Sequence, residues 1–463
     1  MNTFSTVSPI DQSVYCEHEY ASEKHISDVI TQAKVAQTHW QQSTLATRTE
    51  LCQQVVAYFQ SHRHDIANEI SWQMGRPIKQ AANEIDGLTE RAEHMIALAP
   101  KALSRIHLPE KTGFNRYINR EPLGTVLVLA PWNYPYLTAV NSIIPAIMAG
   151  NTVILKHSSQ TPLCATRFNN AFNSADCPNG VFNYLHTDHA HTQQLIQQPD
   201  IDFVAFTGSV EGGIRVQQAA SERFIPVALE LGGKDPAYVR HDANLKHAIP
   251  QLVDGAFYNS GQSCCGIERI YVHHNLFNDF VDGFVDLVKQ YRLGNPLQDG
   301  MTLGPVVTTQ AANTIHQQIK DAISQGATAL INGNDMGEYS KGAYVSPQVL
   351  INVNHDMRLM RDETFGPAVG IMAVQNDEEA LHLMNDSEFG LTASIWTQSE
   401  PEAVALGQRI HTGTVFMNRC DYLDPGLAWT GVKNSGRGYS LSELGYHQLT
   451  RAKSFHLKTT VTA

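Results

Sequence analysis

Two adjacent thiols, Cys264 and Cys265, stand in the stretch Asn259-Ser-Gly-Gln-Ser-Cys264-Cys-Gly-Ile-Glu-Arg269, between a Gly-Gln turn and the strand-like run Ile270–His273. A thiolate is the most nucleophilic side chain near neutral pH, and helix ends or nearby cations raise its reactivity. A buried thiol is equally a small apolar group, so these residues admit a nucleophile or a pair of core thiols. Glu230 interrupts the apolar run Val227-Ala-Leu-Glu-Leu231 just before Gly232 and Gly233. Partial desolvation there raises a carboxyl toward the range of a general base; the alternative is a strand-end Glu paired with Lys or Arg. In Pro131-Trp132-Asn133-Tyr134-Pro135 two prolines hold a loop out of any ladder, and Asn133 is either an amide aimed at a developing oxyanion or an ordinary turn former.

Two further stretches suit a phosphate-bearing ligand. The run Ile201–Phe206 ends in Thr207-Gly208-Ser209-Val-Glu-Gly212-Gly213 and opens a helix, which places backbone N–H groups and a helix dipole together. The spacing is not Gly-x-Gly-x-x-Gly, so a tight strand–helix packing turn fits as well. Lys156 ends the strand Asn151–Leu155, where it is either a donor to cofactor hydroxyls or a solvated lysine.

The elements that must position these residues follow from periodicity. Residues 23–105 carry apolar side chains at helical spacing (Ile26, Val29, Ile30, Ala33; Leu51, Val55, Val56, Phe59), with Pro77 as a break. Arg116–Pro122 reads as a short polar edge strand, free to pair with another chain. From Gly124, apolar runs at 125–130, 152–156, 181–185, 202–207 and 226–231 alternate with helical stretches at 137–149, 161–175, 189–198 and 210–222, which predicts a parallel α/β sheet. A second α/β unit follows, with helices at 242–260, 275–290 and 308–326, a strand at 268–273, and further segments at 366–374, 378–385, 391–397 and 414–418.

At about 150 residues per domain, 463 residues make two to four domains. The net charge of −12 and the lack of clustered Lys and Arg argue against nucleic acid. No basic start leads into an apolar run and no window of about 18 apolar residues exists, so the chain is expected in the cytoplasm and not in a membrane. The seven cysteines (Cys16, Cys52, Cys164, Cys177, Cys264, Cys265, Cys420) have neither metal-ligand nor disulfide spacing and are expected to be reduced.

Taken together, Pro131-Trp-Asn-Tyr-Pro135, Phe206-Thr-Gly-Ser209, Leu229-Glu-Leu-Gly-Gly233, Gly261-Gln-Ser-Cys264 and Glu363-Thr-Phe-Gly-Pro367 resemble the NAD(P)-dependent aldehyde dehydrogenase superfamily, in its order and over nearly the whole chain. The 34 residues from Glu230 to Cys264 also match. The resemblance implies a Rossmann-like cofactor domain (1–105 and 123–232), an α/β catalytic domain (233–440) and a small β oligomerisation extension (106–122 and 441–463), assembled as a homodimer or homotetramer. It implies Cys264 as nucleophile with Cys265 pointing elsewhere, Asn133 and the Cys264 N–H as the oxyanion site, and Glu230 as the base for the hydrolytic water. Lys156 and Glu363 match the ribose contacts, Gly208, Ser209 and Gly213 the pyrophosphate turn, and Phe365 the ring that packs near the nicotinamide; Trp132 is expected as a further cofactor-binding residue. The implied reaction converts a small aldehyde to its acid with NAD or NADP. Glu230 argues against a CoA-acylating relative, and the presence of both thiol and Glu argues against a silent paralogue.

Two departures bear on specificity. Lys156-His-Ser-Ser159 lacks the Glu that many members carry three residues after the lysine, so the carboxylate that repels a 2′-phosphate is absent and NADP is expected to be accepted. The family's Pro-Phe-Gly-Gly is here Ala428-Trp429-Thr430-Gly431, in a loop expected to wall the substrate tunnel. Tyr134, Tyr136, Tyr422 and Trp429 suit a cationic aldehyde or line a tunnel for aliphatic ones, and Arg419 suits a semialdehyde carboxylate.

Overall fold

The computed structural model describes residues 2–332 and 342–460. Four helices, Glu23–Trp40, Leu45–Ser61, Arg63–Met74 and Ile78–Ala102, occupy the segment that the helical spacing marked. Ser22 and Thr44 cap the first two through their hydroxyls, and Gly75 ends the third at φ 85°. The fourth buries Glu84 and Arg91 among Ala81, Ile85, Leu88, Ala92 and Met95, so its inward stripe is not purely apolar.

The alternating segment forms a six-stranded sheet. Thr125–Ala130 runs parallel to Thr152–His157 on one side and to Phe203–Thr207 on the other, with Phe182–Tyr184 and Val227–Glu230 beyond them. Gly436–Arg437 closes one edge antiparallel to Val227–Glu230. All of Thr125–Ala130 is buried, which is why it reads as an unbroken apolar run. The chain leaves this strand to one side and comes back on the other, and the crevice beyond its carboxyl end is where open α/β sheets receive ligands.

A seven-stranded sheet follows, with Asp235–Val239 and Ile267–His273 at its centre and the antiparallel strand Thr328–Ala329 at one edge. Residues 231–234 alone separate Val227–Glu230 from Asp235–Val239. The carboxyl end of a strand in the first sheet therefore lies close to the amino end of one in the second.

Phe114–Pro122 pairs antiparallel with Thr450–Lys458 and with Ile106–His107, forming the small β extension within its own chain. Part of the expected tail turns inward: Leu441, Tyr446 and Leu449 join the core of the N-terminal helices. Residues 461–463 of that tail, and 333–341 of the expected catalytic domain, lie outside the described residues. The hairpin Thr3–Val7 with Val14–Glu19 had no apolar alternation to announce it, since both strands are mostly exposed. No described helix is long and apolar enough to cross a membrane.

Candidate active site

The cysteine turn is built by three consecutive left-handed residues. Asn259, Ser260 and Gly261 have φ of 53°, 55° and 71°, and a Cβ on Gly261 would stand 2.3 Å from the Gly366 carbonyl. Asn259 and Ser260 hold this strained conformation through dense bonding. The Asn259 amide donates to the Gln262 and Asn133 carbonyls, both at 3.2 Å, and Ser260 Oγ donates to the Gly304 carbonyl at 2.9 Å. Gln262 Oε1 accepts from Val307 N at 2.7 Å.

Beyond the turn the two thiols separate. Cys264 is partly exposed on a cavity of about 250 Å³ whose wall also includes Tyr134, Thr207, Glu230, Tyr422 and Trp429. Cys265 is buried and donates Sγ–H to Asp421 Oδ1 at 3.0 Å, which also takes the Ser263 hydroxyl at 2.8 Å. The contact with Cys264, together with burial and the Asp421 charge, pushes the Cys265 thiol up and keeps it neutral.

Asn133 reaches the same turn, its Nδ2 donating to the Gln262 carbonyl at 3.2 Å. A primary amide has two hydrogens, so one remains for another acceptor. The Asn133 backbone carbonyl accepts from Arg76, whose Nε donates to Asn259 Oδ1 at 3.0 Å and whose other end pairs with Glu84. Glu84 Oε1 in turn accepts Tyr136 N and Leu137 N, both at 2.9 Å, in the first turn of the helix Pro135–Ala149. One buried ion pair thus ties the Pro131–Pro135 loop to the cysteine turn.

Glu230 ends its strand with Oε2 accepting the Thr207 hydroxyl at 3.1 Å. Burial pushes its carboxyl up against the opposing pull of the Ser440 and Thr207 hydroxyls and the Arg91 charge. Across the sheet junction, Glu268 accepts Thr364 N at 2.8 Å and Phe365 N at 2.9 Å while pairing with buried Lys234. This holds Phe365 at φ 52° with its ring edge-on to Trp132, centroids 5.5 Å apart. Glu363 Oε1 accepts Gly233 N at 2.9 Å, and burial, reinforced by the Glu268 charge, pushes its carboxyl up to about 8.

A groove of about 670 Å³ opens beyond the carboxyl ends of the central strands of the first sheet, lined by Ala130, Lys156, Phe206, Ser209, Gly212 and Arg215 among others. Ser209 caps the helix Val210–Ala220, and a Cβ on Gly208 or Gly212 would stand 2.7 Å from the Phe206 ring. A helix N-terminus and a lysine at the point where strand order reverses fit the phosphates and hydroxyls of a dinucleotide. Among the described residues no group of three or more His, Cys, Asp or Glu side chains is placed to hold a metal ion.

The family model described as the aldehyde dehydrogenase family matches residues 1–455. The chain belongs to the aldehyde dehydrogenase family. It is 32% identical to an NAD(P)+ succinate semialdehyde dehydrogenase of Escherichia coli over 93% of this chain and 92% of that protein. It is 31% identical to a peroxisomal aminoaldehyde dehydrogenase of Pisum sativum over 95% of this chain and 89% of that one. Among solved structures, a succinic semialdehyde dehydrogenase of Streptococcus pyogenes with NADP+ matches at TM-score 0.94 and 27% identity, covering 98% of this chain and 100% of that one. As an aldehyde dehydrogenase the protein oxidises an aldehyde to the carboxylic acid and reduces NAD or NADP.

In this aldehyde dehydrogenase the cavity gathers Cys264, Glu230, Tyr134, Tyr422 and Trp429, with Asn133 tied to its wall through Gln262. Trp132, Gly208, Glu363 and Phe365 stand outside the walls of both the cavity and the groove, and four more expected residues are engaged elsewhere. Arg419 is exposed and stacks 3.5 Å from the Tyr422 ring centroid, spending its guanidinium on an aromatic face and not lining the cavity. Tyr136 is fully buried between Phe59 and Phe168 in the core. Gly213 does not line the groove: it is buried where its helix meets the sheet, and a Cβ there would stand 2.7 Å from Leu231. Ser159 is exposed and off the groove, its carbonyl bound by Thr6 Oγ1 at 2.8 Å. The residues that went unread are the charged supports Arg76, Glu84, Arg91, Lys234 and Glu268. Glu84 and Arg91, seven positions apart on the apolar stripe of one helix, carried the only usable signal.

Proposed function

We propose that Cys264 is the nucleophile, Asn133 the side-chain donor to the oxyanion and Glu230 the base that hydrolyses the thioester. The observation that carries this is a shared cavity: Cys264 and Glu230 open on it, while the Asn133 amide is bonded to the residue two before Cys264. The Cys264 thiolate adds to the aldehyde carbon, and the negative charge formed on oxygen falls to the Asn133 amide and the Cys264 N–H. Bound NAD(P) supplies the acceptor for the hydride that leaves this carbon. The thioester left on Cys264 is then opened by a water whose proton passes to Glu230, the C–S bond breaks, and the carboxylic acid departs as the thiolate is restored. Lys156 and Glu363 are assigned to ribose hydroxyls, Gly208 and Ser209 to the pyrophosphate turn, and Trp132 and Phe365 to the nicotinamide. The three-stranded extension, with an exposed edge strand Thr450–Lys458, is assigned to a homodimer or homotetramer. Seven unpaired cysteines suit the reducing cytoplasm.

The test is Glu230→Gln, because general-base assistance is worth roughly 10²–10⁴-fold. Rapid mixing with aldehyde and cofactor should give a burst of reduced cofactor, then a steady state slower by about that factor, with acyl-enzyme seen by intact mass. A mutant that turns over at the wild-type rate, or a wild type that needs CoA and releases acyl-CoA, would remove Glu230 from this role.

A further inference from the structure

Arg91 is a buried guanidinium facing the cavity that holds Cys264. Its Nη1 donates to the Leu137 carbonyl at 2.8 Å and to Asn141 Oδ1 at 3.4 Å. Among the described residues it forms no ion pair, and its Nε and Nη2 make no hydrogen bond, whereas the other arginine on this wall, Arg76, is paired with Glu84. Asn141, 3% exposed, lines the cavity beside it, and its Nδ2 is buried without a partner. A buried guanidinium that no carboxylate contacts directly and a buried amide without an acceptor are both costly, and a single planar anion relieves both.

We propose that Arg91 and Asn141 form a subsite for a carboxylate at the far end of the substrate, so that the preferred aldehyde is the semialdehyde of a short dicarboxylic acid. This rests on the assignment of the cavity as the aldehyde site. The small volume, about 250 Å³, limits the chain to a few carbons. Five carboxylates share the wall, which on a simple count favours a cationic substrate. Four of them are already engaged: Glu84 by Arg76, Glu90 by the Tyr422 hydroxyl, Asp421 by Ser263 and Cys265, and Glu230 by Thr207. The fifth, Asp254, is a surface residue whose carboxyl is pushed up to about 6 by burial and the Asp421 charge, toward the neutral form. The unsatisfied donors are on the cationic side, and they decide the class.

The experiment compares kcat/KM for three aldehydes of equal length: 4-oxobutanoate, butanal and 4-aminobutanal. The wild type should favour 4-oxobutanoate over butanal by roughly 10²-fold, the usual scale of a charge-assisted, bidentate contact. Arg91→Met should lower that ratio by about the same factor, and Arg91→Lys should recover part of it. Asn141→Asp, which supplies Arg91 with an internal carboxylate, should also depress the ratio and serves if Arg91→Met fails to fold. A wild-type preference for 4-aminobutanal, an equal loss on all three aldehydes in Arg91→Met, or an altered pH profile with the ratio intact would overturn the proposal. A second readout needs no turnover: succinate, but not succinamide, should slow alkylation of Cys264 in the wild type and not in Arg91→Met. If the wild type oxidises no aldehyde while succinate still protects, the catalytic assignment has failed and the anion subsite stands; no difference between succinate and succinamide ends the subsite.

Discussion

The cavity around Cys264 and the groove beyond the first sheet are held in different ways. The cavity side rests on two buried ion pairs, Arg76–Glu84 and Lys234–Glu268, and on non-glycine residues at left-handed φ: Asn259, Ser260, Phe365 and Asp421. On the groove side Ser209, His189 and Arg215 are exposed, and the Arg215–Glu211 pair stands in solvent. On the proposed assignment, the difference follows from the work each region does. A covalent step fails when atoms are misplaced by about 1 Å, so its parts are over-determined and carry strain. Binding a dinucleotide needs a helix end, a lysine and room for backbone approach, and tolerates changes at its rim.

The largest effect that separates the two regions is loss of the thiol. Cys264→Ala should abolish cofactor reduction, while Cys265→Ala, which deletes only a donor to Asp421, should stay within about tenfold of wild type. Steady-state assays of both variants check this, and equal losses would break the distinction drawn between the thiols.

A smaller effect tests the buried support. Arg76→Met leaves Glu84 charged, buried and unpaired, which typically costs about 3–5 kcal/mol. Denaturant unfolding should show a loss of that size, and adding Glu84→Gln should return a good part of it. Unchanged stability in the single variant would mean that the ion pair does not hold the Asn133 loop.

The same contrast accounts for what could be read from residues alone. The parallel sheet was legible because Thr125–Ala130 is buried on both faces and its neighbours repeat that pattern at βαβ spacing. That Cys264, Glu230 and Asn133 come together was legible through short motifs joined in order. Arg76, Glu84 and Glu268 were not, because a charge at a buried position has no local signature; its partner lies 8 residues away for Arg76 and 34 for Glu268. Arg419 was misread for a related reason: a loop arginine near aromatic residues either enters a pocket or stacks on its outer wall, and only tertiary structure separates the two. Gly213 shows that a glycine in a strand–helix turn can serve packing against Leu231 as readily as ligand approach.

The smallest effect concerns the groove rim. A carboxylate directly against a ribose 2′-phosphate would discriminate strongly, but Ser159 is exposed, outside the groove wall, with its backbone fixed by Thr6. A charge placed there acts through solvent and counter-ions, which screen over about 8–10 Å at ordinary salt. The groove's own charges, Lys156, Arg215 and Glu211, lie in its wall and are unaltered by the change. Wild type should therefore use NADP as well as NAD, and Ser159→Glu should move the kcat/KM ratio toward NAD by only about two- to fivefold, less at high salt. Cofactor titrations at two ionic strengths measure this. A shift of about 100-fold that persists at high salt would place position 159 against the ribose and extend the groove beyond its present wall, whereas a wild type inactive with NADP would show that discrimination comes from residues other than a carboxylate at this position.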